Sequence, residues 1–361
     1  MKLLKIKIIE KTLSWYFFLV KRNRDFLRFN EIPPKTIVIY STTALGDYLM
    51  NTPAIWHLRN KFPTSKIILV TSEKNYDLVK KYDWFDQIYI WDNKVVRILP
   101  LLFKLRKNRP EISIILHAGF PYDILCSVLS GSDVVFRDHY GSESPLLNKY
   151  LDNYSIYYDG HTIKRKLKLI ESFGANVDNV KMYLPKLEDD KDDKNQRLRV
   201  GFQLGASNES RRWPVENFSQ LACMLFESLD DLEVIITGTP SELTLAQNFV
   251  KQLPVNYQNK VVNMAGKTSL TELVSLVGNL NILVTGDTGP LHIAIASGVK
   301  TVSLFVTANP FYTGPCQDQD KHIILHCPVS TDFQTPMNSI QVSDVFDAVM
   351  FSMQGCFRRR D

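Results

Sequence analysis

Three short loops in this chain place charged side chains beside small residues. They are STTALGD at residues 41–47, GASNESRRWP at residues 205–214 and GDTGPLH at residues 286–292. Each follows a β-branched or apolar run typical of a buried strand, and each precedes a helical stretch. The loops are therefore expected where a strand ends and a helix begins, a position at which backbone amides and the helix dipole favour anions.

The first loop carries one glycine and no lysine. It is neither a Walker A loop nor a GxGxxG loop, so nucleotide binding of those two kinds is not supported. Its chemical group is the carboxylate of Asp47. Two interpretations stay open from spacing alone: Asp47 caps the following helix, or it serves as a general base.

The second loop contains Arg211 and Arg212, just before a helix whose first residue is expected to be Pro214. Two arginines with small polar neighbours at a helix amino end can bind a phosphate. The alternative is a solvated loop in which Trp213 is a packing lid.

In the third loop, Gly286 and Gly289 permit a tight turn, after which the amides of Thr288 and Gly289 would face an anion. Asp287 is expected to brace the loop or to contact a hydroxyl group. His292 falls in the first helical turn, where a capping or packing role is the alternative.

Taken together, the loops suit group transfer. The second half of the chain offers anion sites for a diphosphate leaving group, and the first half offers a carboxylate for the acceptor. No DxD pair lies near these loops to hold a divalent metal at the diphosphate. Arginine side chains and helix amino ends are therefore expected to stabilise its charge.

The elements that must position these loops alternate between strands and helices, first over residues 36–173 and again over residues 199–305. Such alternation predicts an α/β fold with parallel sheets. We expect two Rossmann-like lobes whose strand ends face a shared cleft. The domain boundaries follow as an N-terminal segment, a first lobe, a charged linker, a second lobe, and a C-terminal helix with a basic tail. They lie at residues 1–33, 34–186, 187–198, 199–335 and 336–361.

Composition bounds the class of protein. Of 361 residues, 45% are hydrophobic and 22% charged, which excludes disordered and fibrous chains. A net charge of only +5 argues against nucleic-acid binding. The five cysteines are odd in number and form no CxxC pair, which suits a reducing cytoplasm. His322, His326 and Cys327 lie close in sequence but are a weak zinc pattern, so we expect no metal.

The positive charge is concentrated at the N-terminus. Residues 1–30 hold eight basic and two acidic side chains, so the rest of the chain is nearly neutral. No run reaches the roughly 18 apolar residues that span a bilayer. On a helix, one face carries apolar residues and the other Lys7, Lys11 and Arg22. The segment either lies in an anionic membrane interface or packs on the protein's own surface. The apolar face consists of Ile6, Ile9, Leu13, Phe17 and Val20.

The chain resembles glycosyltransferase family 9, the ADP-heptose:lipopolysaccharide heptosyltransferases, from about residue 36 to residue 349. The first resembling stretch is STTALGDYLMNTPA, with its Gly-Asp pair, and the second is GASNESRRWP. The most specific is AGKTSLTELVSLVGNLNILVTGDTGPLHIAIASGVKTVSLF. Two features depart from the family: Arg211 replaces its phosphate-contacting lysine, and the cysteine cluster of many relatives is missing.

The resemblance implies a GT-B fold and an inverting transfer that needs no metal or other cofactor. It implies that heptose moves from ADP-heptose, the nucleotide-sugar donor, to a lipopolysaccharide-core or related glycolipid acceptor. Asp47 would be the catalytic base, and Thr43 and Gly46 would lie on the acceptor-side loop. The implied donor-binding residues are Arg211, Arg212, Glu242, Asp287, Thr288, Gly289 and His292.

The expected partners are the donor, the glycolipid acceptor and, through residues 1–30, an anionic membrane surface. Nucleic acid is not among them. The expected location is cytoplasmic and peripheral, on the inner face of the bacterial inner membrane. The alternatives are a transferase with another nucleotide-sugar or acceptor, and a non-catalytic nucleotide-sugar-binding protein. An oxidoreductase is disfavoured because GxGxxG is absent.

Overall fold

A computed structural model describes residues 2–139, 144–157, 159–187, 197–327 and 336–357. The chain divides into two compact units, Met1–Lys186 and Leu187–Asp361. Each unit contains a six-stranded sheet in which every neighbouring pair of strands is parallel. Most of the predicted linker, at residues 188–196, and the end of the predicted basic tail, at residues 358–361, lie outside the described residues.

The sheet of the N-terminal unit is built from short β-branched runs. Its two central strands, TIVIYS and ISIILH, are buried except at the last histidine, which explains why they are mostly apolar. The strands are β1 Thr36–Ser41, β2 Lys66–Thr71, β3 Gln87–Ile90, β4 Ile112–His117, β5 Val134–Asp138 and β6 Asn153–Ser155. The helices are α1 Lys2–Leu19, α2 Leu45–Lys61, α3 Glu73–Val79, α4 Ile98–Lys107, α5 Tyr122–Leu129 and α6 Thr162–Glu171.

The C-terminal unit repeats this plan with its own apolar core. Its last helix packs there through Val345, Val349 and Met353. The strands are β7 Leu198–Gln203, β8 Leu232–Thr237, β9 Val261–Asn263, β10 Ile282–Gly286, β11 Lys300–Phe305 and β12 His322–His326. The helices are α7 Val215–Ser228, α8 Leu243–Gln252, α9 Val255–Gln258, α10 Leu270–Gly278, α11 Gly289–Ala296, α12 Pro310–Thr313 and α13 Val342–Phe357.

The two sheets share one strand order. The first runs β3-β2-β1-β4-β5-β6, and the second, read from its other edge, runs β9-β8-β7-β10-β11-β12. In both sheets, the second and third strands of the unit lie on one side of its first strand, and the fourth and later strands lie on the other. The order in which the chain adds strands therefore reverses between the first and fourth strands. Such a switch point leaves a crevice at the carboxyl ends of those two strands, where ligands bind in α/β proteins. The edge strands β3, β6, β9 and β12 are only partly buried, and the strands at the switch points are buried more fully.

The N-terminal segment packs on the N-terminal unit. Its helix α1 contacts α5 and the 3-10 turn Pro145–Tyr150, with three apolar side chains buried in the same layer as α4 and α5. The predicted grouping of Ile6, Ile9 and Leu13 on one face is therefore seen. Val20 departs from that expectation because it follows the last residue of α1 and is exposed.

The arginines of this segment are fixed by the same unit. Arg22 Nη2 lies 2.8 Å from Asp152 Oδ2, and Arg24 Nε lies 2.5 Å from Asp152 Oδ1. Arg28 Nη2 lies 2.6 Å from Asp133 Oδ2. Part of the positive charge that the sequence concentrates at the N-terminus thus meets acidic groups of the protein itself. In the described part of the chain, no helix combines the length and the apolar character needed to cross a membrane.

Candidate active site

Asp47 lies at the switch point of the N-terminal unit. It is the third residue of α2, in the loop-to-helix turn that follows β1. The capping interpretation of this carboxylate does not hold, because the N-cap residue of α2 is Ala44 and no side chain caps the helix there. The carboxylate instead meets His117, the last residue of β4 and thus of the strand on the other side of the switch point.

Asp47 and His117 form a largely buried pair. His117 Nδ1 lies 3.3 Å from Asp47 Oδ2. Burial alone would raise the pKa of Asp47, because it penalises the charged form. The hydrogen bond and charge of His117 and the charge of Lys166 outweigh burial, so the pKa of this carboxyl group is lowered below its ordinary value. Asp47 is therefore ionised at neutral pH, which is the state in which a carboxylate can accept a proton.

A fully buried ionic cluster supports the Asp47–His117 pair. The Lys166 ammonium group donates to the carbonyl of Leu116, the neighbour of His117, at 2.8 Å and to Asp138 Oδ2 at 2.9 Å. Arg165 Nε donates to Asp138 Oδ1 at 2.7 Å. Burial would raise the pKa of Asp138, but the Lys166 and Arg165 cations lower it well below the usual carboxyl range. These bonds fix the end of β4 and hence the position of the imidazole.

The loop around Asp47 is held by polar contacts to neighbouring loops. The carbonyl of Thr43 accepts a hydrogen bond from Asn75 Nδ2 at 3.0 Å, and Gly46 is buried in the first turn of α2. Both predicted acceptor-side residues thus lie in the turn that carries Asp47.

Asn93 ties the two sides of the switch point together. Its Oδ1 accepts hydrogen bonds from Thr42 Oγ1 at 2.7 Å and from the Gly119 amide at 3.0 Å. A Cβ at Gly119 would lie 2.7 Å from the Asn93 side chain, so glycine permits this approach. Asn93 itself has a φ of +60°, a conformation that Asn adopts more readily than most residues. The loops after β1 and β4 are therefore held in a fixed relation.

In the C-terminal unit, the second and third loops meet at the switch point between β7 and β10. Arg211 Nη1 lies 3.3 Å from Asp287 Oδ2. A Cβ at Gly286 would lie 3.0 Å from the Arg211 carbonyl oxygen, so the two loops are in close contact. The guanidinium group remains partly exposed, whereas Asp287 is largely buried. Asp287 thus holds Arg211 while leaving part of the cation open to an anionic ligand.

The amino end of α11 lies in the same loop as Asp287. Thr288 is its N-cap residue, but the side chain does not cap the helix, because its hydroxyl shares a 2.8 Å hydrogen bond with Thr285 Oγ1. The first-turn amides, beginning at Gly289, are therefore left without a side-chain cap. His292 is buried, and its Nε2 lies 3.9 Å from Asp287 Oδ1. These features fit the predicted anion site.

Arg212 has a different environment from Arg211. Its Nε donates to the carbonyl of Ala206 at 3.0 Å, and its Nη1 lies 3.4 Å from Glu209 Oε1. Both partners belong to its own loop, so Arg212 braces that loop.

Trp213 and Pro214 correspond only in part to expectation. Trp213 is buried and donates from Nε1 to the carbonyl of Ile340 at 3.0 Å, which supports its packing role. The prediction that Pro214 is the first residue of the helix is wrong. Pro214 has an extended ψ of 142° and is the N-cap residue, and α7 begins at Val215.

Glu242 lies beside the second loop, in a 3-10 turn after β8. Its Oε2 accepts hydrogen bonds from the Thr239 amide at 2.7 Å and from Gln203 Nε2 at 3.4 Å. A Cβ at Gly205 would lie only 1.9 Å from Glu242 Oε1. The carboxylate therefore rests on the backbone of the loop that follows β7, and glycine at position 205 makes room for it.

Residues 136–340 match the family described as Glycosyltransferase family 9 (heptosyltransferase). This chain belongs to glycosyltransferase family 9. It is therefore a transferase, and the family resemblance predicted from the motifs is confirmed. Among related sequences, the lipooligosaccharide heptosyltransferase 2 of Campylobacter jejuni is 25% identical over 80% of this chain and 86% of its own length.

Solved structures extend the similarity to the fold. A family 9 glycosyltransferase from Veillonella parvula covers 89% of this chain and 97% of its own, at 21% identity and a TM-score of 0.75. The ADP-heptose lipopolysaccharide heptosyltransferase II of Escherichia coli covers 89% and 99%, at 18% identity and a TM-score of 0.73. The GT-B fold class of this family 9 protein is confirmed.

His117 is the residue of this glycosyltransferase that sequence reasoning missed. It is the last residue of β4, ISIILH, and its adjacency to Asp47 depends on the pairing of β1 with β4. The signal that would have found it is its place at the carboxyl end of a strand bordering the switch point. Nothing in the sequence distance of the two residues indicates the contact.

The weak metal pattern forms no metal site among the residues that the structure describes. No group of three or more His, Cys, Asp or Glu side chains there is arranged to hold an ion. Within the pattern, His322 Nδ1 instead lies 3.0 Å from Thr301 Oγ1 on the neighbouring strand.

Proposed function

We propose that this family 9 glycosyltransferase moves heptose from ADP-heptose to a lipopolysaccharide-core or related glycolipid acceptor. One observation carries the proposal: each unit gathers its charged residues at its own switch point. The N-terminal unit holds an ionised carboxylate there. The C-terminal unit holds a partly exposed guanidinium beside a helix amino end. These are the groups that a sugar transfer from a nucleoside diphosphate requires.

On the donor side, Arg211 and the amides at the amino end of α11, with Thr288 and Gly289, bind the diphosphate. Arginine can fork to two phosphate oxygens, and it can stabilise the charge that develops on the departing ADP. Asp287 orients Arg211 and reaches a hydroxyl of the sugar. His292 packs against Asp287, and Glu242 binds the ribose.

On the acceptor side, Asp47 is the general base. It takes the proton of the acceptor hydroxyl as the oxygen attacks the anomeric carbon of the donor. The new carbon–oxygen bond forms on the face opposite the bond to the diphosphate, which breaks and releases ADP. The configuration at that carbon is thereby inverted. His117 acts through Asp47, as a positioning residue that keeps the carboxylate ionised.

The proposal includes a metal-independent reaction, with Arg211 and the α11 amides supplying the charge stabilisation. Activity should then persist in excess EDTA, and restoration of lost activity by a divalent ion would contradict this part. The proposal also includes peripheral attachment to the cytoplasmic face of the inner membrane, because a glycolipid acceptor lies in a membrane.

The test is a thermal-shift panel of ADP-, UDP-, GDP- and CMP-sugars, followed by mass spectrometry of a lipopolysaccharide-core acceptor. A donor at about 100 times its Kd stabilises the bound unit by about 2.7 kcal/mol. We expect ADP-heptose to give the largest shift and the acceptor to gain one heptose, with the anomeric configuration read by NMR. A larger shift and transfer from another nucleotide-sugar would replace heptose as the donor. Binding without transfer to any acceptor would favour a non-catalytic role.

A further inference from the structure

Helix α1 is apolar on two opposite faces. The inner face, with Ile6, Ile9 and Leu13, is buried in the core of the N-terminal unit. The outer face carries a second apolar set that the protein leaves in solvent, with Trp15 68% and Phe18 86% exposed. Four residues of this set fall within an arc of about 80° at 3.6 residues per turn. They are Leu4, Ile8, Trp15 and Phe18.

Helix α4 and the 3-10 turn before it, Val95–Arg97, also have one buried and one exposed apolar side. Ile98, Leu101 and Leu105 face inward and are buried. On the opposite side, Val96 is 83% and Phe103 is 73% exposed, with Leu99 exposed between them. An outward row of large apolar residues on two helices is unusual for a surface with no partner.

The two outer faces look out on the same side of the sheet. The buried residues of α1 and α4 enter one apolar layer, which also contains Ile124 and Val128 of α5. Both helices contact α5. Because their inner faces point into a common layer, their outer faces point away from it together.

Basic side chains accompany both apolar rows. Lys5, Lys7 and Lys11 are exposed on α1, and no ion pair among the described residues involves them. Helix α4 contains Lys104 and Lys107 but no acidic residue. The acidic residue within α1, Glu10, is paired with a lysine of its own unit. The surface therefore offers exposed apolar groups among uncompensated positive charges.

We propose that the outer faces of α1 and α4 form one docking surface for a bilayer of anionic phospholipids. Aromatic and aliphatic side chains enter the boundary between headgroups and acyl chains, while the lysines meet lipid phosphates. Like charges would repel between two copies of this surface, whereas an anionic bilayer neutralises them. The assignment rests on the proposed glycolipid acceptor, which brings the enzyme to a membrane. In this proposal lipid meets the outer face of α1, whereas the sequence indicates the opposite face, with Ile6, Ile9 and Leu13.

The experiment is vesicle flotation of the full chain with phosphatidylglycerol–phosphatidylethanolamine vesicles and with neutral phosphatidylcholine vesicles. The test variant is the double substitution Trp15→Ser with Phe103→Ser. The matched control is Phe351→Ser, since Phe351 is 71% exposed but lies on α13 of the other unit. We expect the double variant to bind anionic vesicles at least about tenfold more weakly, because each large side chain contributes to interfacial affinity. The control should bind like the wild type.

A charge variant and an activity assay complete the test. Lys7→Gln with Lys11→Gln should weaken binding to anionic vesicles and leave binding to neutral vesicles unchanged. Unaltered flotation of the Trp15/Phe103 variant would overturn the proposal. So would a dimer of the wild type that this variant dissociates, since the surface would then serve a second copy. The Trp15/Phe103 variant should turn over a short, water-soluble acceptor at the rate of the wild type. This assay therefore distinguishes a failure of the proposed transfer reaction from a failure of membrane binding.

Discussion

Replacing Asp47 by Asn tests the proposed base with little change in volume. A positioned general base contributes about 10²- to 10⁴-fold to a rate, or roughly 3–5 kcal/mol of activation free energy. We therefore expect kcat to fall by that factor. Donor affinity should stay within about twofold, because Asp47 belongs to the N-terminal unit and the proposed donor ligands to the C-terminal one.

The partner substitution, His117→Gln, separates positioning from catalysis. A hydrogen bond to a charged group is worth about 1.5–3 kcal/mol, and the lower end applies here because both side chains retain some exposure. That corresponds to about a tenfold loss in kcat. Since His117 lowers the pKa of Asp47, its removal raises that pKa. The ionised base is lost as pH falls through its pKa, so the acidic limb of the kcat profile should move to higher pH.

The assay is kcat measured between about pH 3 and 8, so that the range includes the acidic limb set by the lowered pKa of Asp47, with donor affinity from calorimetry. His326→Gln is the control, since His326 is exposed on β12 of the C-terminal unit. Wild-type turnover in Asp47→Asn would refute the base. An unmoved acidic limb in His117→Gln would refute the positioning role, whatever its kcat. A loss of donor affinity equal to the loss of kcat would show that Asp47 acts in binding.

Three further substitutions test other parts of the structure. Arg211→Ala should weaken donor binding by about 1.5–3 kcal/mol in calorimetry, as for a lost charged contact. Gly205→Ala should lower donor affinity with little change in Tm, because its Cβ would displace the flexible end of Glu242. Asp138→Asn should lower the free energy of unfolding in urea by about 3–5 kcal/mol, because it leaves Lys166 buried without its counter-charge. Because the pKa of Asp138 is lowered on folding, the stability it provides is present at neutral pH and is lost as the solution is acidified.

Each of these three has a matched control. Arg197→Ala removes an exposed arginine of the same unit and should leave donor binding intact. Gly278→Ala places its Cβ 3.8 Å from the Ser297 hydroxyl, an ordinary contact, and should be silent. Asp77→Asn breaks an exposed pair with Lys80 and should leave the free energy of unfolding nearly unchanged. If a variant and its control had equal effects, the role given to the substituted residue would be wrong.

The N-terminal helix shows what a periodic pattern can and cannot predict. The spacing of Ile6, Ile9 and Leu13 places them on one face whatever surrounds them. Trp15 and Leu4 share an opposite apolar face, and the sequence does not say which face is covered. That choice depends on the surface of α5, which is formed by residues more than a hundred positions away. The partnership of Arg22 with Asp152 is hidden for the same reason.

The candidate site likewise has features that could be predicted from sequence and features that could not. Loop position could be predicted for Asp47, Arg211 and Asp287, because strand-to-helix turns have local signals. The contact between Arg211 and Asp287 requires β7 to lie beside β10, and that of Asp47 with His117 requires β1 to lie beside β4. Strand order is a property of the assembled sheet, so these pairings were beyond local patterns.

The position of the switch points within the sheets has a consequence for protection from local opening. The strands that carry the site loops are mostly buried and are paired on both sides, while the outer strands β3, β6, β9 and β12 are half open to solvent. Local opening begins where backbone bonds are exposed, so amide hydrogen exchange should be fastest at the margins. Exchange in β1, β4, β7 and β10 should need opening close to that of a whole unit. The edge strands can then open and close many times while the loops that carry the reacting groups stay in position.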